Sequence, residues 1–160
     1  MSSVPCSQSF VQMTELILPN HLNQMGTAFG GVIVSWMDIA GSISARRHCS
    51  KNVVTASIDD IHFLAPVYKG DVVSLQAQVN YTHRSSMEVG VKVSAESPEK
   101  KNSRQTALAY LTFVALDDNR KPSPVPSLIL KTEEEKKRFE SAKIRREWRL
   151  ERKSQSLSSL

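Results

Sequence analysis

The sequence predicts an α+β domain in which one helix lies against a curved antiparallel sheet, with a charged helix appended at the C-terminus. Three observations carry this. Residues 31–48 are apolar or small and hold no turn signal other than Gly41, which reads as one long helix. Four strand-like runs follow it. The polar connectors at 82–85 and 97–104 are too short for parallel pairing, which needs crossovers of a dozen residues or more, so neighbouring strands run antiparallel.

Residues 10–18 (FVQMTELIL) alternate in part and stop at Pro19-Asn20. They predict a first strand, then a loop through His21, Asn23 and Gly26 to Gly30-Gly31. The helix GVIVSWMDIAGSISARRH has few polar faces, so protein should surround it and bury Asp38. A carboxylate there is costly unless paired, hydrogen-bonded or functional. Residues 53–63 (VVTASIDDIHF) form the next strand, stopped by Pro66. Residues 71–81 place Val73, Leu75, Ala77, Val79 and Tyr81 on one face, and residues 86–95 do the same with Met87, Val89, Val91, Val93 and Ala95. Residues 106–116 (TALAYLTFVAL) are apolar on both faces, the pattern of a central strand covered on both sides.

The Pro-rich segment KPSPVP closes a domain assigned to residues 8–126, and a helical tail takes 127–160. Thr132 followed by Glu135 is a capping-box pattern that opens a helix from Glu133 to about Lys153. Its thin apolar stripe, Phe139, Ala142, Ile144, Trp148 and Leu150, suits packing on the surface or on a neighbouring subunit. Residues 154–160 read as disordered.

Composition narrows the function classes. The 160 residues, 40% of them hydrophobic, suit one globular domain with a sizeable core. No apolar run approaches the roughly 20 residues that span a bilayer, and residues 1–10 lack the pattern of a secretory signal. Cys6 and Cys49 are too few for a disulfide framework and read as reduced thiols, hence a cytosolic setting. The net charge of +5 is concentrated after Lys131. That reads as a solvated helical tail, compatible with a basic surface for a phosphate-bearing ligand.

Four segments carry a family resemblance: PNHLNQMGTAFGGVIVSWMDIAGSISARRH (19–48), VVTASIDDIHFLAPVYKGDVV (53–73), SSMEV (85–89) and FVALDD…PSPVP (113–126). Together and in this order they resemble the acyl-CoA thioesterase branch of the hotdog superfamily, the acyl-CoA hydrolases. The resemblance implies a helix wrapped by a five-stranded sheet. It implies a homodimer whose sheets join edge to edge, often as a trimer of dimers. It also implies an Asn in the loop before the helix and an acid within it, which fall on Asn23 and Asp38, in a site shared between subunits. Where the family often has Asn or Asp after the loop glycine, this chain has Thr27, and no chemical role is assigned there.

Thioester hydrolysis needs a polarised carbonyl, an activated water or nucleophile and a stabilised oxyanion. The helix start at Gly30-Gly31 offers N–H groups and the positive end of the helix dipole. Asp38 serves as general base or nucleophile, and Asn23 orients the water or the carbonyl. Their ordinary roles compete: helix–sheet packing for the glycines, a turn for Asn23, an ion pair for Asp38. For coenzyme A, Arg84 with Ser85 and Ser86 offers a guanidinium and two hydroxyls, and Thr55 is placed along the pantetheine channel. Lys136, Lys137, Arg138, Lys143, Arg145 and Arg146 add positive potential. Val32, Ile33, Trp36 and Met37 are candidates to face the acyl chain.

No cofactor is expected beyond the coenzyme A of substrate and product. His21, His48, His62 and His83 show no metal spacing, and His62 reads as a satisfied core residue. There is no GxSxG elbow, phosphate loop or Rossmann fingerprint, and Cys49 has no identifiable partner base. Two other classes compete with the enzyme: a non-catalytic acyl-CoA-binding or sensing domain, and a nucleic-acid-binding protein that uses the basic tail. The second lacks interleaved aromatics, so neither nucleic acid nor membrane is expected as a partner.

Overall fold

The structure is a computed structural model that describes residues 2–158. Its elements are β1 (Ser3–Pro5), β2 (Val11–Leu16), α1 (Gly30–Cys49), β3 (Asn52–Phe63), β4 (Val72–His83), β5 (Ser86–Glu96), β6 (Ser103–Leu116), β7 (Ser127–Ile129) and α2 (Glu133–Ser158). Five strands form one antiparallel sheet in the order β2-β4-β5-β6-β3. With α1 laid on its inner face, this is the hotdog arrangement.

Strand alternation builds the core. Val73, Leu75, Ala77 and Val79 of β4, Val89, Val91 and Val93 of β5, and Leu111 and Phe113 of β6 are fully buried on the inner face. Each aliphatic or aromatic side chain so buried is worth about 1.5–3 kcal/mol. They meet Ile33, Met37, Ala40 and Ala45 of α1. Gly41 sets how closely helix and sheet approach, since a Cβ there would lie 2.9 Å from the Phe113 ring.

On the outer face lies α2. Its start is the predicted capping box: the Glu135 N–H donates to Thr132 Oγ1 at 3.1 Å, and the Thr132 N–H donates to Glu135 Oε2 at 3.1 Å. From there the helix crosses the sheet on polar contacts. Arg145 donates to both oxygens of Glu88 at 2.7 and 3.2 Å and stacks 3.6 Å from the Tyr110 ring centre. Arg138 reaches Gln78, Arg149 reaches Asp59, and Phe139 packs on Tyr81.

The structure corrects several expectations. Protein does not surround α1 within the chain: Ile39 is 48% and Ile43 37% exposed, and Gly31 and Ser35 are exposed on the same stripe. β6 has a neighbour on each side and a closed inner face, but its outer residues Leu108 and Tyr110 are only half-buried. Residues 154–158 continue α2 rather than being disordered; residues 159–160 of that expectation lie outside the described residues. His62 is exposed on the edge strand, and the buried histidine is His48. Sequence reading also missed the parallel pair β1–β7, whose three-residue strands are too short to show alternation.

Candidate active site

Asp38 sits midway along α1 and is half-buried, not buried as its helix pattern predicts. The cause is the open stripe beside it, which no element among the described residues covers. Its carboxylate has no cation within ion-pairing distance among the described residues. Its partner is neutral: the Thr55 hydroxyl donates to Asp38 Oδ1 at 2.6 Å, and Oδ2 is left without a partner among the described residues. Thr55 stands on β3, opposite Phe113 of β6 and just before a register shift. β3 is an edge strand, bent by that irregularity and a second one between Asp59 and His62. It exposes Val54 (48%) and Ile58 (39%).

Asn23 organises the loop before the helix. Its side-chain oxygen accepts the Met25 and Thr27 N–H groups at 2.9 and 3.2 Å, and its Nδ2 donates to Thr27 Oγ1 at 2.9 Å. Gly26 takes φ +77° in the same turn, a conformation that suits glycine. No hydrogen bond joins Asn23 to Asp38 within the chain. Thr27, given no role from sequence, holds the Asn23 amide in place. An Asn with a hydroxyl residue four positions on was the signal that could have found it.

Gly30 and Gly31 form the first turn of α1, after Phe29 as N-cap. Their N–H groups have no acceptor among the described residues, as helix geometry dictates for a first turn. Beside them is a cavity of about 350 Å³ lined by Thr27, Gly30, Ile33, Phe63, Leu64 and Thr106, among others. A Cβ on Gly30 would come within 3.3 Å of the Phe63 ring, so the bare glycine keeps the entrance between helix start and β3 open. Of the apolar helix residues considered for an acyl chain, Ile33 lines this cavity, while Met37 faces the core and Trp36 packs edge-on against His21.

The coenzyme A candidates lie elsewhere. Arg84, with φ 45°, makes the β4–β5 turn, and its guanidinium is exposed and without a partner among the described residues. The Ser86 hydroxyl donates to the His83 carbonyl at 3.1 Å, and the Ser85 carbonyl accepts the Ala115 N–H at 2.8 Å. This hairpin is at the C-terminal end of α1, opposite Gly30-Gly31: a single chain does not unite the two. In the tail, Arg138, Arg145 and Arg146 turn inward to Gln78, Glu88 and His83 rather than into solvent. Lys137 and Lys143 are exposed and have no ion-pair partner among the described residues.

Both thiols are buried and free. Burial pushes the Cys6 thiol up to about 11 and raises Cys49 as well, so neither is a ready nucleophile.

A helix on the inner face of this five-stranded antiparallel sheet defines a hotdog protein, and that helix carries a half-open carboxylate beyond a glycine start. Residues 25–101 match the family model described as thioesterase superfamily. The chain is 45% identical over 130 residues to an uncharacterised acyl-CoA thioester hydrolase of Bacillus subtilis, covering 81% of this chain and 76% of that one. It therefore belongs to the thioesterase superfamily, in its acyl-CoA hydrolase branch. It is 40% identical to a mouse cytosolic acyl coenzyme A thioester hydrolase over 90% of its own length, but spans only 38% of that relative.

Solved structures agree with the fold over most of the chain. An acyl-CoA hydrolase from Staphylococcus aureus, in complex with butyryl coenzyme A, coenzyme A and coenzyme A disulfide, superposes with TM-score 0.91 at 35% identity, covering 98% of this chain and 96% of that one. An apo-hexameric acyl-CoA thioesterase does so with TM-score 0.92 at 38% identity, covering 95% and 97%. Three further structures of the Staphylococcus hydrolase carry single alanine substitutions of an Asn, an Asp and a Thr spaced 15 and 17 residues apart. Asn23, Asp38 and Thr55 have the same types at the same spacing.

Proposed function

We propose that this protein hydrolyses acyl-CoA thioesters to free coenzyme A and a carboxylic (fatty) acid. The observation that carries the reading is Asp38: a carboxylate on an open helix face, steadied by the Thr55 hydroxyl and neutralised by no cation. Thr55 fixes the side chain and occupies Oδ1, which leaves Oδ2 for water or for the thioester carbon. In the general-base route, Oδ2 takes a proton from water as the water oxygen bonds to the carbonyl carbon. The N–H groups of Gly30 and Gly31 then hold the oxyanion. The C–S bond breaks, and the sulfur leaves and regains a proton as the thiol of coenzyme A. In the nucleophilic route Oδ2 bonds to the carbonyl carbon first, the C–S bond breaks and coenzyme A leaves as a thiolate that takes a proton from solvent; water then hydrolyses the mixed anhydride to the acid and the restored carboxylate.

Asp38 lies about 10 Å along the helix from Gly31, too far to act with its own helix start. We therefore place Asn23 and the glycines of one protomer against Asp38 of its twofold partner. The open α1 stripe and the β3 edge support this, because together they expose Ile39, Ile43, Val54 and Ile58. An unpaired apolar edge is what a second sheet would cover. The acyl group would enter the cavity beside Gly30, and coenzyme A would lie towards Arg84, Ser85, Ser86 and the exposed Lys143. A trimer of dimers is proposed on the hexameric relative, and a cytosolic setting on the two free thiols. No helix among the described residues is long and apolar enough to cross a membrane.

Free-thiol release from a panel of acyl-CoAs tests the reaction. Turnover with at least one chain length is expected. Coenzyme A binding without release from any of them would make the protein an acyl-CoA sensor instead. Mixing inactive Asn23→Ala and Asp38→Ala protomers tests the shared site: mixed dimers should recover part of the wild-type rate, and no recovery would return the site to one chain.

A further inference from the structure

The largest cavity described, about 740 Å³, is not used by the site above. It opens at the C-terminal end of α1, lined by Ile43, Arg46, Lys51 and Asn52 on one side and by Leu116 and Asp117 on the other. Its cations are fixed or free in ways that suit a phosphate. The Lys51 ammonium donates to Ser123 Oγ and to the Pro124 carbonyl, each at 2.7 Å, so two neutral acceptors aim it without neutralising it. The Arg46 guanidinium is exposed and has no acceptor among the described residues. Arg47, also at the wall, donates to the Phe10 carbonyl.

The opposing charge is smaller. Asp117 accepts the Asn119 and Lys121 N–H groups on Oδ1 alone, both at 2.9 Å, so it keeps its charge and with Asp118 sets two carboxylates against Arg46, Arg47 and Lys51. The last helical turn points carbonyls here, but the Ser50 N–H caps that of Arg46, and the basic side chains offset the dipole. A doubly charged phosphate is the ligand class that such a wall fits.

The position connects the cavity to the acyl-CoA site. The Ala115 N–H donates to Ser85 and the Ser123 N–H to Ala115, while the Val125 N–H donates to Arg84, each at 2.8 Å. The Arg84 turn and the cavity are thus two sides of one edge. From Asp38 the open face of α1 runs past Ile39 and Ile43 to Arg46, a rise of about 12 Å that an extended pantetheine arm can cover. We propose that Arg46 and Lys51 bind the 3′-phosphate of the coenzyme A moiety. This rests on the acyl-CoA reading and extends it to residues that neither the sequence motifs nor the catalytic geometry assign.

The test compares an acyl-CoA with its 3′-dephospho analogue, at one acyl chain, on wild type, Arg46→Ala and Lys51→Met. Wild type should show a KM about tenfold higher for the dephospho substrate, the size of one lost charge-assisted contact. Arg46→Ala should raise the KM for acyl-CoA by a similar factor and erase that difference. Lys51→Met should do the same, with its melting temperature measured because Lys51 also ties down the Pro-rich segment. The proposal is overturned if wild type treats both substrates alike, or if Arg46→Ala weakens both equally. Absence of any thioester hydrolysis would sink the hydrolase reading alone. Calorimetric binding of coenzyme A and 3′-dephospho-coenzyme A then decides the phosphate site, and equal affinities would overturn it.

Discussion

The α1–β3 edge and the α2-covered face of the sheet each hold an acidic side chain, and they hold them in opposite ways. Glu88, on the covered face, is 3% exposed and gripped through both oxygens by Arg145, which also stacks on Tyr110. Asp38, on the open edge, is half-buried and has one neutral donor, Thr55. A carboxylate with a buried counter-ion is committed to structure, since removing either partner strands a charge. A carboxylate fixed by a hydroxyl keeps a free oxygen and its full charge for a ligand. On the proposed function the difference separates a fold-holding acid from a reacting one; the sequence pattern buries Asp38 in its helix but sets Glu88 on the face of its strand opposite Met87 and Val89.

Exchanging the two acids for their amides should break the molecule in two different ways. Asp38→Asn is expected to lower kcat/KM by about a thousandfold with little change in melting temperature, read by thiol release and thermal denaturation. Near-normal turnover would remove Asp38 from the chemistry. Glu88→Gln should do the reverse, costing about 3 kcal/mol of stability by leaving Arg145 uncompensated, or roughly 10 °C in melting temperature. Specific activity of the folded fraction should be kept. If it fell as far as in Asp38→Asn, the division between the regions would be wrong.

Smaller changes sharpen the same contrast. Thr55→Ala should cost about tenfold in kcat/KM, the scale of one hydrogen bond to a charged group, while Thr55→Ser restores most of it; equal loss in both variants would point to packing of the edge strand instead. The smallest effect concerns His48, whose Nε2 lies 2.9 Å from the Pro126 carbonyl while its buried Nδ1 has no partner. Burial lowers its pKa from the ordinary 6.5. The unfolded chain therefore binds more protons in the window just below that value. Its contribution is present above pH 6.5 and is lost as pH falls towards the lowered folded value. Urea midpoints for wild type and His48→Gln should converge on acidification through that window, and parallel curves would exclude His48 as the source.

Much of the fold was legible because its signals are local. Alternation located β4 and β5 to within a residue or two at most ends, and the Thr132–Glu135 capping pair marked the start of α2. The site was legible in part. Asp38 stood out as a charge in an apolar helix, and Gly30-Gly31 as a bare helix start. The Thr55–Asp38 contact was not legible, because the chain that brings Thr55 to Asp38 passes through a helix end, a turn and an edge strand. Thr27 was missed for a simpler reason: its hydroxyl matters only once the loop has closed on Asn23.

By itself, then, the sequence determined which segments are helix and strand, which face of each is apolar, and which residue types are available for thioester chemistry. These follow from periodicity and side-chain chemistry, which act over a few residues. Only the tertiary structure decided which carboxylate is matched by a cation and which by a hydroxyl. It likewise decided that one stripe of α1 is open, and that Arg46 and Lys51 share an edge with Arg84. Those outcomes depend on strand order and helix placement, which set the neighbours of residues far apart in the chain.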